Sequence, residues 1–258
     1  MKNYLAIFFL IASTFIINAQ KFHLRSGVGI SSLNWYENQS TANFSFQLTY
    51  QKPNSSKLFF SEVKTFGNIA NSKVDPAHYE FIPYQMQGQT QPMELDINKL
   101  SATYRGGSAE IGVLFNQTRG KSQPFLSPEV SFFSISLARK ISTDITQYVE
   151  EEKYALHGLS AGLNLILPGK AKWIFSTKAF LPILTNFTLY GRYIGVPYET
   201  SSQKNEVSWR NQVEVDIKKF NFGIDYDLYN LGGTENLKSK TIFNSQNKML
   251  SVYINYLF

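Results

Sequence analysis

Apolar and polar residues alternate one for one along much of this chain. Phe22, Leu24, Val28 and Ile30 alternate with His23, Arg25, Gly27 and Gly29. Phe44, Phe46, Leu48 and Tyr50 alternate with Ser45, Gln47 and Thr49. The same period runs through Val207–Ile217, Phe220–Leu228 and Leu250–Phe258. A period of two marks a strand with two unlike faces. Lys57–Gly67, Leu100–Phe115, Phe125–Leu137, Tyr154–Leu167 and Lys172–Leu181 complete the set, the last able to run on past Pro182 toward Tyr190. The pattern predicts about ten strands, within bounds of eight to twelve. Two strands change phase, one around Gly106-Gly107 and one near Phe132-Phe133. A glycine pair suits a bulge that shifts register by one residue.

The connections predict how the strands assemble. Gln51–Ser56, Asn116–Gln123, Pro168–Ala171 and Lys218-Lys219 are short. Those on the other side are mostly longer, including Asn68–Lys99, Lys140–Lys153, Gly191–Glu206 and Asn230–Asn247. Short turns on one side and long loops on the other characterise outer-membrane barrels, and a soluble sandwich has no reason to keep that parity. The expected fold is therefore all-β: a closed antiparallel transmembrane β-barrel occupying residues 20–258 as one domain.

Residues 1–19 read as a secretory signal peptide: Lys2, then the apolar run Leu5–Ile17, then small Ala19. That run is shorter than the roughly 20 residues a spanning helix needs. The chain has 258 residues and no cysteine, so disulfides, thiolate metal sites and cysteine nucleophiles are excluded. Its 21 Phe and 15 Tyr suit a sheet that meets lipid. A mean hydropathy of −0.21 fits strands that alternate lipid-facing with lumen-facing residues. The net charge of +6 does not signal nucleic acid, because the basic residues do not cluster with aromatics along one element. Lys21, Lys52, Lys57, Arg119, Lys121, Lys170, Lys172, Lys218 and Lys219 instead form an acid-free rim on the short-turn side, suited to lipid phosphates or to solvation alone.

The final strand carries Val252, Ile254 and Tyr256 and closes on Phe258. This pattern resembles the C-terminal insertion signal of outer-membrane barrels. The whole mature chain resembles small barrels of the OmpX, OmpA-barrel or PorT-like type. The resemblance implies a bacterial outer-membrane location, lipid around the barrel, and the barrel-assembly machinery as a partner during insertion, with Tyr256 and Phe258 as the signal. A PorT-like role in protein export is one function it allows.

If the apolar faces meet lipid, the alternate residues point inward. The expected lumen network is Arg25, Glu110, Lys178, Arg210, Glu214, Asp216, Asp225 and Asp227, with Glu62, Lys64, Arg105, Glu129 and Glu206 also inward. Charges of both signs in a narrow lumen should pair, since an unpaired buried charge is costly. The main expectation is a plugged barrel with a structural or accessory role, its external loops contacting a protein partner. A narrow channel for small solutes or ions is the alternative, and an outer-leaflet lipid-modifying enzyme a further one. Glu150-Glu151-Glu152 reads as a solvated loop run, with a divalent-cation or lipopolysaccharide contact as the alternative. His157 lies on an outward face with no matched Ser or Glu, His23 faces inward and His78 lies in the longest loop. Asp225 and Asp227 share a face as paired acids would. No phosphate loop or zinc-ligand spacing occurs. No catalytic residue, metal or cofactor is expected.

Overall fold

The computed structural model describes residues 22–78, 96–117, 122–143, 149–192, 199–233 and 244–258. The proposed leader, Lys21, Arg119, Lys121 and residues 79–95 of the longest loop lie outside them. Twelve antiparallel strands form one sheet: β1 (Phe22–Asn34), β2 (Asn38–Tyr50), β3 (Leu58–Asn68), β4 (Ser72–Lys73), β5 (Ser101–Leu114), β6 (Phe125–Ser142), β7 (Val149–Leu167), β8 (Lys172–Arg192), β9 (Glu199–Ser202), β10 (Ser208–Ile217), β11 (Phe220–Leu231) and β12 (Ser245–Leu257). β4 and β9 are short spurs on β5 and β8. The ten long strands pair with their neighbours in sequence, β12 pairs with β1, and the ring is closed. Closure leaves the ring of ten long strands without an open edge, as a strand assembly in lipid requires.

The outer belt carries Val28, Phe44, Ile111, Phe132, Ile183, Ile224 and Val252, all well exposed. Apolar residues exposed in register on neighbouring strands are a lipid-facing surface. β6, β7 and β8 have 18, 19 and 21 residues. Crossing a bilayer takes roughly 9–11. These strands therefore project beyond the belt on the loop side, and the walls continue as a collar.

That collar corrects several expectations. The connection after β1 is only Trp35–Glu37, and β7 starts at Val149, so much of Lys140–Lys153 is strand. Glu150–Glu152 lies in β7 as well; Glu150 and Glu152 are buried, and no solvated loop run exists there. β5 and β6 keep one phase throughout, with no shift at Gly106-Gly107 or at Phe132-Phe133. What changes is the lumen: Phe133, Ile135 and Leu137 point inward and are buried. Arg105 accordingly faces outward and pairs with Glu151 at 2.7 Å. The one register shift among the described strands lies opposite His157/Gly158, where β8 carries the extra residue Ile183 after Pro182. Proline cannot donate to the ladder, so the bulge sits where the ladder is already interrupted. β8 does run past Pro182, as far as Arg192.

Two turns use residues with positive φ that tolerate it, Asn54 (60°) and Asn116 (59°). The two-residue turn Lys218-Lys219 places a lysine at φ 55°. It carries the steric cost of a Cβ in the left-handed region.

Candidate functional site

The lumen has two halves of opposite chemistry. On the turn side, each base is held by carboxylates of other strands. Arg25 reaches Glu214 at 3.5 Å and Asp216 at 3.3 Å. Lys172 meets Asp216 at 2.6 Å. Lys64 reaches across from β3 to Asp225 on β11 at 2.9 Å, with Glu62 at 3.6 Å. Arg210 is locked to Asp227, Nε to Oδ1 at 2.5 Å, and approaches Glu62 at 3.8 Å and Glu110 at 4.0 Å. Lys178 joins Glu110 at 2.7 Å and also pairs with Glu129. The eight expected residues lie inside in two ion-paired groups, Arg25, Glu214 and Asp216 in one, and Glu110, Lys178, Arg210, Asp227 and, through Lys64, Asp225 in the other.

Hydrogen bonds satisfy most remaining valences of this network. The Tyr253 hydroxyl is within hydrogen-bond distance of Glu214 (3.0 Å) and Asp225 (2.9 Å), and accepts from Gln212 at 2.6 Å. Its ring lies over Gly223, where a Cβ would come within 2.1 Å of Cζ. Glycine there gives the tyrosine its path across the lumen. Ser131 and Ser160 donate to Glu110, and Asn164 donates to Glu129 at 3.2 Å. Lys178 lies over the ring of Phe60, and both Lys178 and Arg210 lie over that of Phe180. Seven carboxylates face five bases here, an excess of negative charge.

The network does not fill its half. A cavity of 330 Å³ occupies the turn end, lined among others by His23, Arg25, Glu62, Glu129, Lys178 and Asp216. A smaller void of 50 Å³ lies further in and reaches Ile135, Leu137, Tyr229 and Met249. Arg25, Gln47, Glu62, Arg210 and Glu214 line both.

The loop-side half is a stopper. Leu33, Trp35, Tyr104, Ile135, Leu137, Tyr154, Phe187, Leu189 and Leu231 belong to one buried apolar cluster that fills the collar. The turn Trp35–Glu37 folds inward onto it. The Trp35 ring packs against Tyr36, Tyr104 and Tyr154, and its indole donates to Ser245 at 3.0 Å. Glu37 accepts from Arg139 at 2.5 Å, from the Tyr104 hydroxyl, and from the Asp75 backbone N–H at 3.0 Å. Arg139 also reaches Glu152 at 3.4 Å and stacks on Tyr36. Its side chain is only 1% exposed. Burial, with the Glu152 charge nearby, pushes the Tyr36 phenol above its ordinary value.

Sequence reasoning missed this second cluster. Arg139 continues the inward set Ser127, Glu129, Ser131 once β6 keeps a single phase, and that was the available signal. Lys172, assigned to the turn rim, is a lumen residue. Among the candidates for other chemistry, His157 is exposed on the outer face, in register with Ser134 and Leu184. Asp225 and Asp227 are committed to Lys64 and Arg210 rather than to each other. Tyr256 and Phe258 stack edge-on at the turn end, and the Phe258 N–H donates to Leu24 at 3.0 Å. Among the described residues no group of three His, Asp or Glu is arranged to hold a metal.

A closed antiparallel barrel with an apolar outer belt and an ion-paired lumen defines the class: this is a transmembrane β-barrel protein of the outer-membrane type. No protein-family model matches the chain, and no curated protein does. Similar solved structures include a major outer membrane protein from Thermus thermophilus, at 10% identity and a TM-score of 0.43, covering 92% of this chain and 98% of that one. The translocator domain of the autotransporter NalP from Neisseria meningitidis matches at 10% identity and 0.42, covering 98% and 97%. Ail, the attachment invasion locus protein of Yersinia pestis, crystallised with the heparin analogue sucrose octasulfate, matches at 9% and 0.39, covering 92% and 98%. Likenesses this distant carry no argument about activity.

Proposed function

We propose that this barrel is a narrow pathway for small ions or polar solutes, shut at its loop-side end. The observation that carries it is the pair of adjoining spaces in the turn-side half. The 330 Å³ cavity and the 50 Å³ void share the charged residues Arg25, Glu62, Arg210 and Glu214 in their walls, and the void ends against the stopper. A lumen built only to be filled would not leave polar space beside its ion pairs, because interiors pack closely. With the short turns toward the periplasm, as in other barrels of this class, the cavity opens inward to the cell. The collar and its loops face outward.

A second reading has its own support. The apolar stopper is extensive and carries a fully buried ion cluster, as suits a permanently closed barrel with a structural or accessory task. Such a barrel would act through its external loops and a protein partner, and a PorT-like role in export belongs under this reading.

Single-channel recording in planar bilayers separates the two. The expected result is rare, brief openings for the wild-type barrel and long-lived openings for Trp35→Ala/Tyr154→Ala, which thins the stopper. Folding is checked by heat-modifiable gel mobility. A folded double variant that stays silent overturns the pathway reading and leaves the accessory one.

A further inference from the structure

On the outer wall, above the apolar belt, β5, β6 and β7 carry three basic side chains in neighbouring register. Arg105 pairs in register with Ala138, and Ala138 with Lys153. Lys140 stands one outward position higher on β6, opposite Thr103. All three side chains are exposed. Among the described residues, Glu151 is the only carboxylate on this face to meet any of them; it binds Arg105 at 2.7 Å and stands opposite Lys140 in the ladder. Lys140 and Lys153 have no ion-pair partner among the described residues. The outward positions between belt and bases are small or polar: Ser134, Ser136 and Ala138 on β6, and His157 and Ala155 on β7. Phe132 and Leu159, the next outward pair toward the turns, are exposed and apolar.

The order along the wall is therefore apolar, then small and neutral, then cationic. The same order is met by moving from acyl chains through a glycolipid's sugar to its phosphates. An exposed base at the headgroup level gains from an anionic phosphate, and the gain adds over neighbouring bases. Guanidinium and ammonium groups together suit a phosphate, the first as a fork and the second as a point charge. Among the described residues the two lysines leave this face with uncompensated positive charge, directed outward rather than into the lumen.

We infer that the outer wall of β5–β7 is a docking surface for a phosphorylated outer-leaflet glycolipid, whose phosphates are held by Arg105, Lys140 and Lys153. Its acyl chains lie along the belt at Phe132 and Leu159, and Glu151, which pairs with Arg105 in the lipid-free barrel, gives way to the phosphate. The surface is separate from the lumen and does not depend on whether the barrel conducts.

The test is titration of the detergent-solubilised full barrel with bisphosphorylated lipid A, followed by native mass spectrometry, beside the same lipid stripped of its phosphates. The wild-type barrel should retain the phosphorylated lipid and lose the stripped one. Arg105→Gln/Lys140→Gln/Lys153→Gln should weaken retention by about tenfold or more. Glu151→Gln, which removes the competing carboxylate, should retain the phosphorylated lipid at least as well as wild type. Heat-modifiable mobility checks that each variant is a closed barrel. Equal retention of both lipids by wild type, or full retention by the folded triple variant, overturns the assignment.

Discussion

Replacing Arg139 by methionine tests how the stopper is held. The side chain is 1% exposed and faces Glu37 at 2.5 Å and Glu152 at 3.4 Å. Both carboxylates are almost as buried as the base, so its loss leaves negative charge stranded inside the collar. Breaking a buried pair by removing one partner costs about 3–5 kcal/mol, chiefly the desolvation of the group left behind. Glu37 belongs to the three-residue turn, the part of the stopper that must move outward for its carboxylate to rehydrate. The cost therefore falls on the closed stopper more than on the barrel wall, whose ladder is untouched. At 1.4 kcal/mol per factor of ten, opening should become roughly 100-fold to a few thousand-fold more frequent. Single-channel recording measures that frequency, and urea titration of the refolded barrel measures the effect on the wall. Adding Glu37→Gln should recover part of the loss, because the variant then strands one carboxylate fewer. Two results would refute the reasoning: a change in opening below about threefold, or Glu37→Gln making the Arg139 variant worse by its full single-mutant cost, which would show no coupling between them.

Three further outcomes follow from the geometry. The excess of carboxylates over bases around the turn-side cavity should make any current cation-selective, read as the sign of the reversal potential across a salt gradient, with Arg210→Gln increasing the preference. Leu163→Arg, in the lipid-facing belt, should destabilise the barrel by about 2–4 kcal/mol, while Ser136→Arg, above the belt on the same wall, should cost about 0–1 kcal/mol; paired urea titrations locate the membrane boundary. Lys218→Asn should stabilise the β10–β11 hairpin by about 0.5–1 kcal/mol, measured in the same titration, since asparagine tolerates the left-handed backbone that lysine strains to adopt.

Membrane strands declare themselves in sequence only where one face meets lipid and the other a polar lumen. β1, β10, β11 and β12 meet that condition over most of their length, so their faces were legible residue by residue, including Arg25, Arg210, Glu214, Asp225 and Asp227. β6 meets it only as far as Phe132. Beyond that point the lumen itself is apolar, Phe133, Ile135 and Leu137 turn inward, and an unchanged strand mimics a phase shift. The real irregularity, the Ile183 bulge, lay beside a proline inside an almost continuous apolar run, where a one-residue shift leaves no mark on the pattern. Tyr104, Trp35 and Arg139 were illegible for a further reason. Their partners come from strands and turns distant in sequence, and no local spacing announces a contact between residue 37 and residue 139.

The two lumen chemistries follow from where each half sits. In the turn-side half the wall is surrounded by lipid, so its outward positions must be apolar and its polar residues can only be placed inside. Carboxylates and bases confined there must tie one another across the barrel, as Lys64 ties β3 to β11 and Arg210 ties β10 to β3. In the collar the wall no longer has acyl chains outside it, and outward positions such as Lys140 and Lys153 are free to be charged. The interior can then take the apolar residues and pack as a soluble core does, driven by exclusion from water. The membrane boundary on the outside and the change from ion network to stopper on the inside are thus two consequences of one constraint. A pathway through this barrel must cross both regimes, and the collar half, with its buried Arg139 cluster and inward-folded turn, is where the barrier stands.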